Sequence, residues 1–278
     1  MSRTDDCIDV IVLAGGRIRG AYSQAAHTSI KALAPIAGTP VVDLLATALR
    51  GAPCIQRICL VGPESVRDAT QAADIWTHDE GSVMDNLRTG IESLGSTTRR
   101  VLVTACDLPL VSSKAITGFV QGASIDAEIC LPLITQVDFD KRFPDNNKRF
   151  VNLHDGGIAI GSMAIVDSRI ISANLKLLGH AMAHRGSAAG MAMTLGLAFM
   201  FKLMRGKLSV SDIEERASAL TECRCKVVRG VSPSLAFDID TVDDYHDACK
   251  RMRRLLLERS QSKPGSGMQS PQMPSRIA

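Results

Sequence analysis

The apolar residues of this chain fall into short unbroken runs, with helically spaced stripes between them. Cys7 to Leu13 is one such run, rich in Val and Ile, and it stops at Ala14-Gly15-Gly16. A strand apolar on both faces belongs in a parallel sheet that is covered on both sides. Pro40 to Arg50 follows, with Val42, Leu45, Ala46 and Leu49 on one face of a predicted helix. Gln56 to Val61 reads as a second strand, ending at Gly62-Pro63, and Ser82 to Leu94 as a helix with Ser82 as its N-cap. Arg100 to Cys106 is a third strand that ends at Asp107, Ser113 to Gly122 another helix, and Glu128 to Leu133 a further strand.

The order β-α-β-α-β-α-β predicts an α/β fold with a doubly wound, mostly parallel sheet and right-handed crossovers. Such sheets bind ligands at the carboxyl ends of their strands, where Gly15-Gly16 and Asp107 both fall. The second half is less regular. Asp138 to Asn152 is polar and reads as a loop or hairpin limb, and His154 to Val166 as a strand with a glycine turn. Residues 169–220 read as a mainly helical insert. Cys225 to Val228 and Ala236 to Ile239 read as short strands. Thr241 to Arg259 reads as a helix capped by Thr241, with Asp243 and Asp244 in its first turn. From Ser260 onward Ser, Gln, Pro and Gly dominate, which predicts a disordered tail over 260–278 behind a single domain, 1–259.

The chain has 278 residues, of which 45% are hydrophobic but only 4% aromatic, so the core must be built from aliphatic side chains. The formal charge of +3 is too small for a nucleic-acid coat and fits a small anionic substrate. The eight cysteines are mostly scattered through apolar runs, as expected of reduced, buried thiols; the Cys223-x-Cys225 pair is not a zinc site. The polar start, Ser2 to Asp6, is no signal peptide, so a cytoplasmic location is expected. Ala188 to Met204 is strongly apolar but holds Lys202 and falls short of the roughly 20 residues a bilayer needs. It reads as a buried or amphipathic helix, with membrane-surface contact the lesser alternative. His180 and His184 are spaced i, i+4 but lack the glutamate of a metalloprotease helix.

Three segments carry chemistry. After the first strand come Gly15 and Gly16, then Arg17 and Arg19, then Lys31. Glycines let backbone N–H groups close on phosphate oxygens, and a lysine adds the point charge a triphosphate needs. The spacing matches neither the P-loop nor the dinucleotide fingerprint. Asp107, delivered by a buried strand and followed by Pro109, is placed to bind Mg²⁺ beside a polyphosphate. Asp238 and Asp240 alternate with Phe237 and Ile239, so in a strand both carboxylates face one side and need a cation or a proton between them.

Leu13-Ala14-Gly15-Gly16 and the later Lys31-x-Leu33-x-Pro35-Ile36-x-Gly38-x-Pro40 resemble the signature of the nucleotidyltransferases of GT-A-like fold, which include the MobA-like NTP transferases. The resemblance covers about residues 7–166 and 225–250. It implies that Leu13, Ala14, Gly15 and Gly16 run along the base and phosphates of a nucleoside triphosphate, CTP or GTP. Lys31, with Arg17 or Arg19, would hold phosphate charge; Asp107, with Asp238 or Asp240, would hold Mg²⁺. Gly62, Gly81, Ser82 and Asn86 would line the nucleotide. The reaction implied is transfer of a nucleoside monophosphate to a small phosphorylated acceptor. A nucleotide-sugar glycosyltransferase and a non-catalytic nucleotide-binding protein are the competing functions. The segment between Gly16 and Lys31 is longer than in the family. Gly161-Ser162 stands where many relatives have Gly-Asn at the acceptor site. Lys141, Arg142, Lys148 and Arg149 read either as a basic flap over the acceptor or as a solvated loop. The sequence sets no oligomeric state.

Overall fold

The computed structural model describes residues 7–95, 98–170, 199, 202 and 205–261. Strand β1 (Ile8–Leu13) leads into helix α1 (Gly20–Ala26), a single 3-10 turn (Lys31–Leu33) and a small hairpin, β2 (Pro35–Ile36) with β3 (Thr39–Pro40). Then come α2 (Val41–Arg50), β4 (Ile55–Val61), α3 (Glu64–Arg67), β5 (Ile75–Thr77), α4 (Val83–Leu94), β6 (Arg100–Ala105) and α5 (Ser113–Gly122). The second half gives β7 (Ile129–Thr135), α6 (Gln136–Arg142), the hairpin β8 (Val151–Leu153) and β9 (Gly156–Ile160), and β10 (Met163–Asp167). After it stand α7 (Val210–Thr221), β11 (Cys225–Val228), a 3-10 turn (Pro233–Ala236) and α8 (Val242–Gln261).

Among the described residues, nine strands form the main sheet in the order β5-β4-β1-β6-β10-β7-β9-β8, with β11 also paired to β7. β1 pairs in parallel with β4 and β6, β4 with β5, and β7 with β11; β10 runs antiparallel between β6 and β7. The α/β, mostly parallel architecture is therefore as expected. Period-two alternation sends Val10 and Val12 into the core layer that holds Leu45, Leu49, Ile116 and Phe119, and Ile11 into the opposite layer with Leu87 and Leu94. Helices thus cover both faces, which is why β1 is buried along almost its whole length. Leu45 and Leu49 are fully buried, each contributing about 1.5–3 kcal/mol.

The second half departs from expectation in places. The polar stretch after β7 is not all loop: Thr135 caps α6 by accepting from the Asp138 N–H, and Phe139 anchors that helix in the core. Ala236 to Ile239 is no strand; a 3-10 turn starting at Pro233 gives way to irregular chain. Pro233 has no N–H to give a ladder. Ser260 and Gln261 extend α8 rather than opening the tail. Thr241 does cap α8, in a reciprocal box: its Oγ1 accepts from the Asp244 N–H (3.2 Å), and the Asp244 carboxylate accepts from the Thr241 N–H (2.8 Å). Most of the expected helical insert, the His180–His184 pair, the apolar segment 188–204 apart from Phe199 and Lys202, the polar N-terminus and the rest of the tail lie outside the described residues. Among the described residues, no helix is long and apolar enough to cross a membrane.

Candidate active site

Parallel pairing brings the carboxyl ends of β1, β4, β5 and β6 to one edge of the sheet. Leu13 ends β1, and the chain turns through Ala14-Gly15-Gly16 at that edge. The Ala14 N–H donates to Val61 O (2.7 Å) and the Gly62 N–H to Thr77 O (3.1 Å), stitching the three strand ends together. A Cβ at Gly62 would sit 3.2 Å from the Ala14 Cβ, so these two segments pack backbone to backbone.

Gly15 is more constrained. A Cβ there would fall 2.6 Å from the Asp79 carboxylate. Asp79 follows β5 and is held in place: its Oδ1 accepts from Asn86 Nδ2 (2.7 Å) and from the Gly81 N–H (3.1 Å). Asn86, buried in the first turns of α4, spends its other end accepting from the Glu80 N–H (2.7 Å). Ser82 caps α4, accepting from the Asp85 N–H. Gly15, Gly81 and Asn86 are thus joined through Asp79, a residue that sequence reasoning missed. Its signal was the Asp-x-Gly spacing of a turn in which a side chain bonds the backbone two residues on.

The segment between Gly16 and Lys31 forms an arch. The Lys31 N–H donates to Gly16 O and the Ile18 N–H to Ser29 O, each at 2.9 Å, and Arg17 pairs with Ile30 as an isolated bridge. α1 fills the arch. Arg17 and Arg19 keep exposed side chains and make no ion pair among the described residues. The arch aims Lys31 across the sheet edge. Its Nζ ion-pairs with Asp107 Oδ2, just beyond β6, and donates to Asp240 Oδ1 at 2.8 Å. Burial opposes the ammonium, but the charge and hydrogen bond of Asp107, then those of Asp240, hold the Lys31 pKa above the ordinary lysine range. Burial pushes the Asp107 carboxyl upward; Lys31 pulls it back, while Asp238 and Asp240 push it up again.

Asp238 and Asp240 reach the site without a strand. Phe237 and Ile239 are buried, Asp238 is partly exposed and Asp240 exposed, so alternation survives in irregular chain. What fixes that chain is the start of β10. The Ser162 N–H donates to Leu235 O (2.8 Å), and a Cβ at Gly161 would strike that same oxygen at 2.6 Å. Ser162 O in turn accepts from the Ala105 N–H (3.3 Å), next to Asp107. Gly161-Ser162 therefore clamps the two acidic segments together. Asp238 ion-pairs with Lys148, 90 residues earlier in the chain, a pairing with no local signal. The four basic residues expected as one flap are divided: Lys141 and Arg142 end α6, while Lys148 and Arg149 line a cavity of about 760 Å³. Asp238 and Asp240 stand in its wall, Phe139 and Phe237 in its lining, and Lys250 of α8 joins them.

The MobA-like NTP transferase domain matches residues 10–189, nearly two thirds of the chain. The chain belongs to that family. As a MobA-like NTP transferase it is a transferase enzyme of the nucleotidyltransferase type. It is similar to a hypothetical transferase from Thermus thermophilus, at 25% identity and a TM-score of 0.75, over 86% of this chain and 99% of that one. A nucleotidyl transferase from Methanothermobacter thermautotroptrophicus shares the fold at 15% identity and a TM-score of 0.52, over 91% of this chain and 99% of that one. So does 4-diphosphocytidyl-2C-methyl-D-erythritol synthase from Anaerococcus prevotii, at 14% identity and 0.54, over 90% and 97%. No curated protein matches the chain.

Among the described residues, no three His, Cys, Asp or Glu side chains gather into a metal cage made by protein alone. A Mg²⁺ site need not be such a cage, because that ion is usually held by one or two carboxylates plus substrate phosphates. The residues present fit that demand. Asp107 Oδ1 is buried without a hydrogen-bond partner, and Asp238 and Asp240 bring further carboxylate oxygens near enough to raise its carboxyl.

Proposed function

We propose that this MobA-like transferase moves a nucleoside monophosphate from CTP or GTP to a small phosphorylated acceptor and releases pyrophosphate. The observation that carries this reading is the convergence of Lys31 with Asp107 and Asp240 beside the Gly15-Gly16 turn. An acceptor oxygen attacks the α-phosphorus in line; that P–O bond forms as the bond to the β-phosphate oxygen breaks, and pyrophosphate takes the electron pair. Backbone N–H groups of the glycine turn hold the phosphates, and Lys31 turns from Asp107 to the charge that grows on the leaving group. Asp107 and Asp238 would hold Mg²⁺, with Asp240 the alternative partner; when bound, the ion neutralises charge shared between the phosphates. Positioning carries the rest, since no covalent intermediate is needed.

The cavity beside Asp238 and Asp240 is the place for the acceptor. Arg149 and Lys250 line it without ion pairs among the described residues and suit a phosphate, while Asp145 and Asp243 suit hydroxyl groups. The test is pyrophosphate release with each of the four NTPs, Mg²⁺ and a panel of phosphorylated acceptors. Release with one base, cut about 10²–10³-fold in Asp107→Asn, is the expected result. Turnover of a nucleotide sugar without pyrophosphate would overturn it, as would full activity in the variant.

A further inference from the structure

One buried group next to Lys31 has no role in the account above. Tyr22 and Ala26 are the buried residues of α1, the helix inside the arch that carries Lys31. The Tyr22 ring packs on that of Tyr245 in α8, with centroids 5.4 Å apart. The two hydroxyls differ. Tyr245 donates to Pro35 O at 2.9 Å, whereas the Tyr22 hydroxyl is closed to solvent with no hydrogen-bond partner. An unsatisfied buried hydroxyl costs free energy, and a native fold retains one where something else completes it. The groups around it say what that is. Burial raises the Tyr22 pKa well above the phenol range, the Lys31 ammonium opposes that rise, and Asp107, Cys106 and Tyr245 add to it. Asp107 Oδ1 is also buried and unpartnered, on the carboxylate that ion-pairs with Lys31. An orphaned donor and an orphaned acceptor thus both act electrostatically on one lysine, the residue expected to hold phosphate charge.

We propose that the Tyr22 hydroxyl is a phosphate-binding group: when Lys31 turns from Asp107 to the triphosphate, Tyr22 donates to a phosphate oxygen of the bound nucleotide. This rests on the nucleotide site proposed above.

The test is Tyr22→Phe in the full chain, with Tyr245→Phe as the control. Thermal stability is measured alone and with Mg²⁺ plus CTP, GTP or inorganic tripolyphosphate. Tyr22→Phe should be as stable as the wild type or more so without ligand, because it deletes an unsatisfied group. It should bind the effective nucleotide and tripolyphosphate about tenfold more weakly, the worth of one hydrogen bond to a charged oxygen. Tyr245→Phe should show the reverse, losing stability and keeping nucleotide affinity. The proposal is overturned if Tyr22→Phe binds as the wild type does, or if it loses stability without ligand. It is equally overturned if nucleotide binding weakens while tripolyphosphate binding does not. A wild-type protein that binds neither CTP nor GTP removes the function proposed above and this contact with it.

Discussion

Replacing Gly15 by alanine isolates the contact that ties the glycine turn to α4. The new Cβ would lie 2.6 Å from Asp79 Oδ1 and 2.8 Å from Oδ2, distances no folded protein sustains, so the carboxylate must turn away. It would then give up its bonds from Asn86 Nδ2 and the Gly81 N–H. Asn86 is only 5% exposed, so its amide would be left without a partner in the interior. That costs about 1–3 kcal/mol. A central value of about 2 kcal/mol lowers the melting temperature of a domain this size by about 4–8 °C. Gly16→Ala is the matched comparison, because its Cβ would meet only Lys31 carbons at 3.7 and 3.8 Å, ordinary contacts. Urea denaturation of Gly15→Ala, Gly16→Ala, Asp79→Ala and the double variant Gly15→Ala/Asp79→Ala forms a double-mutant cycle. Gly15→Ala should be clearly less stable than Gly16→Ala, and its penalty should shrink when Asp79 is already truncated. Equal stability of the two glycine variants, or strict additivity in the cycle, would refute the reasoning.

Lys148→Ala unties Asp238 from its ammonium, so the Mg²⁺ midpoint for nucleotide-dependent thermal stabilisation should fall by up to about fivefold; an unchanged or higher midpoint would break the link. Of the cysteines, Cys7 alone is exposed, and burial pushes the Cys59 and Cys106 thiols up to about 12, so a thiol reagent should titrate Cys7 fast in the native protein and the rest only on unfolding. Side-chain bonds from Arg169 hold the Asp167 carboxyl below its ordinary range, against the effect of burial. A depressed folded-state pKa adds stability that is present above about pH 4 and lost as pH falls through the folded value, so Asp167→Asn should flatten the acid arm of a stability–pH curve.

The first half of the fold was legible because its signals are local. Ile8–Leu13 declares itself as an unbroken apolar run and Val41–Arg50 by apolar period, with Ser82 marking a helix start through its own hydroxyl, as Thr241 does near the end of the chain. The glycine turn and Asp107 could be placed on one edge from strand order alone, since parallel pairing sends every carboxyl end the same way. The stretch after β7 misled for the opposite reason. Its composition is polar, and only the burial of Phe139 and Phe143 against Phe237 makes a helix worthwhile there.

What the sequence determined by itself was a mostly parallel α/β sheet with a glycine turn and an acidic strand end on one edge. Periodicity and turn chemistry need only near neighbours in the chain. The tertiary structure alone decided which charges meet. Lys31 joins Asp107 and Asp240, Lys148 joins Asp238, and Gly15 rests on Asp79, across separations of 64 to 209 residues. Electrostatic pairing and close packing act through space, and no pattern along the chain encodes the distance between two side chains until the sheet has brought its strand ends together.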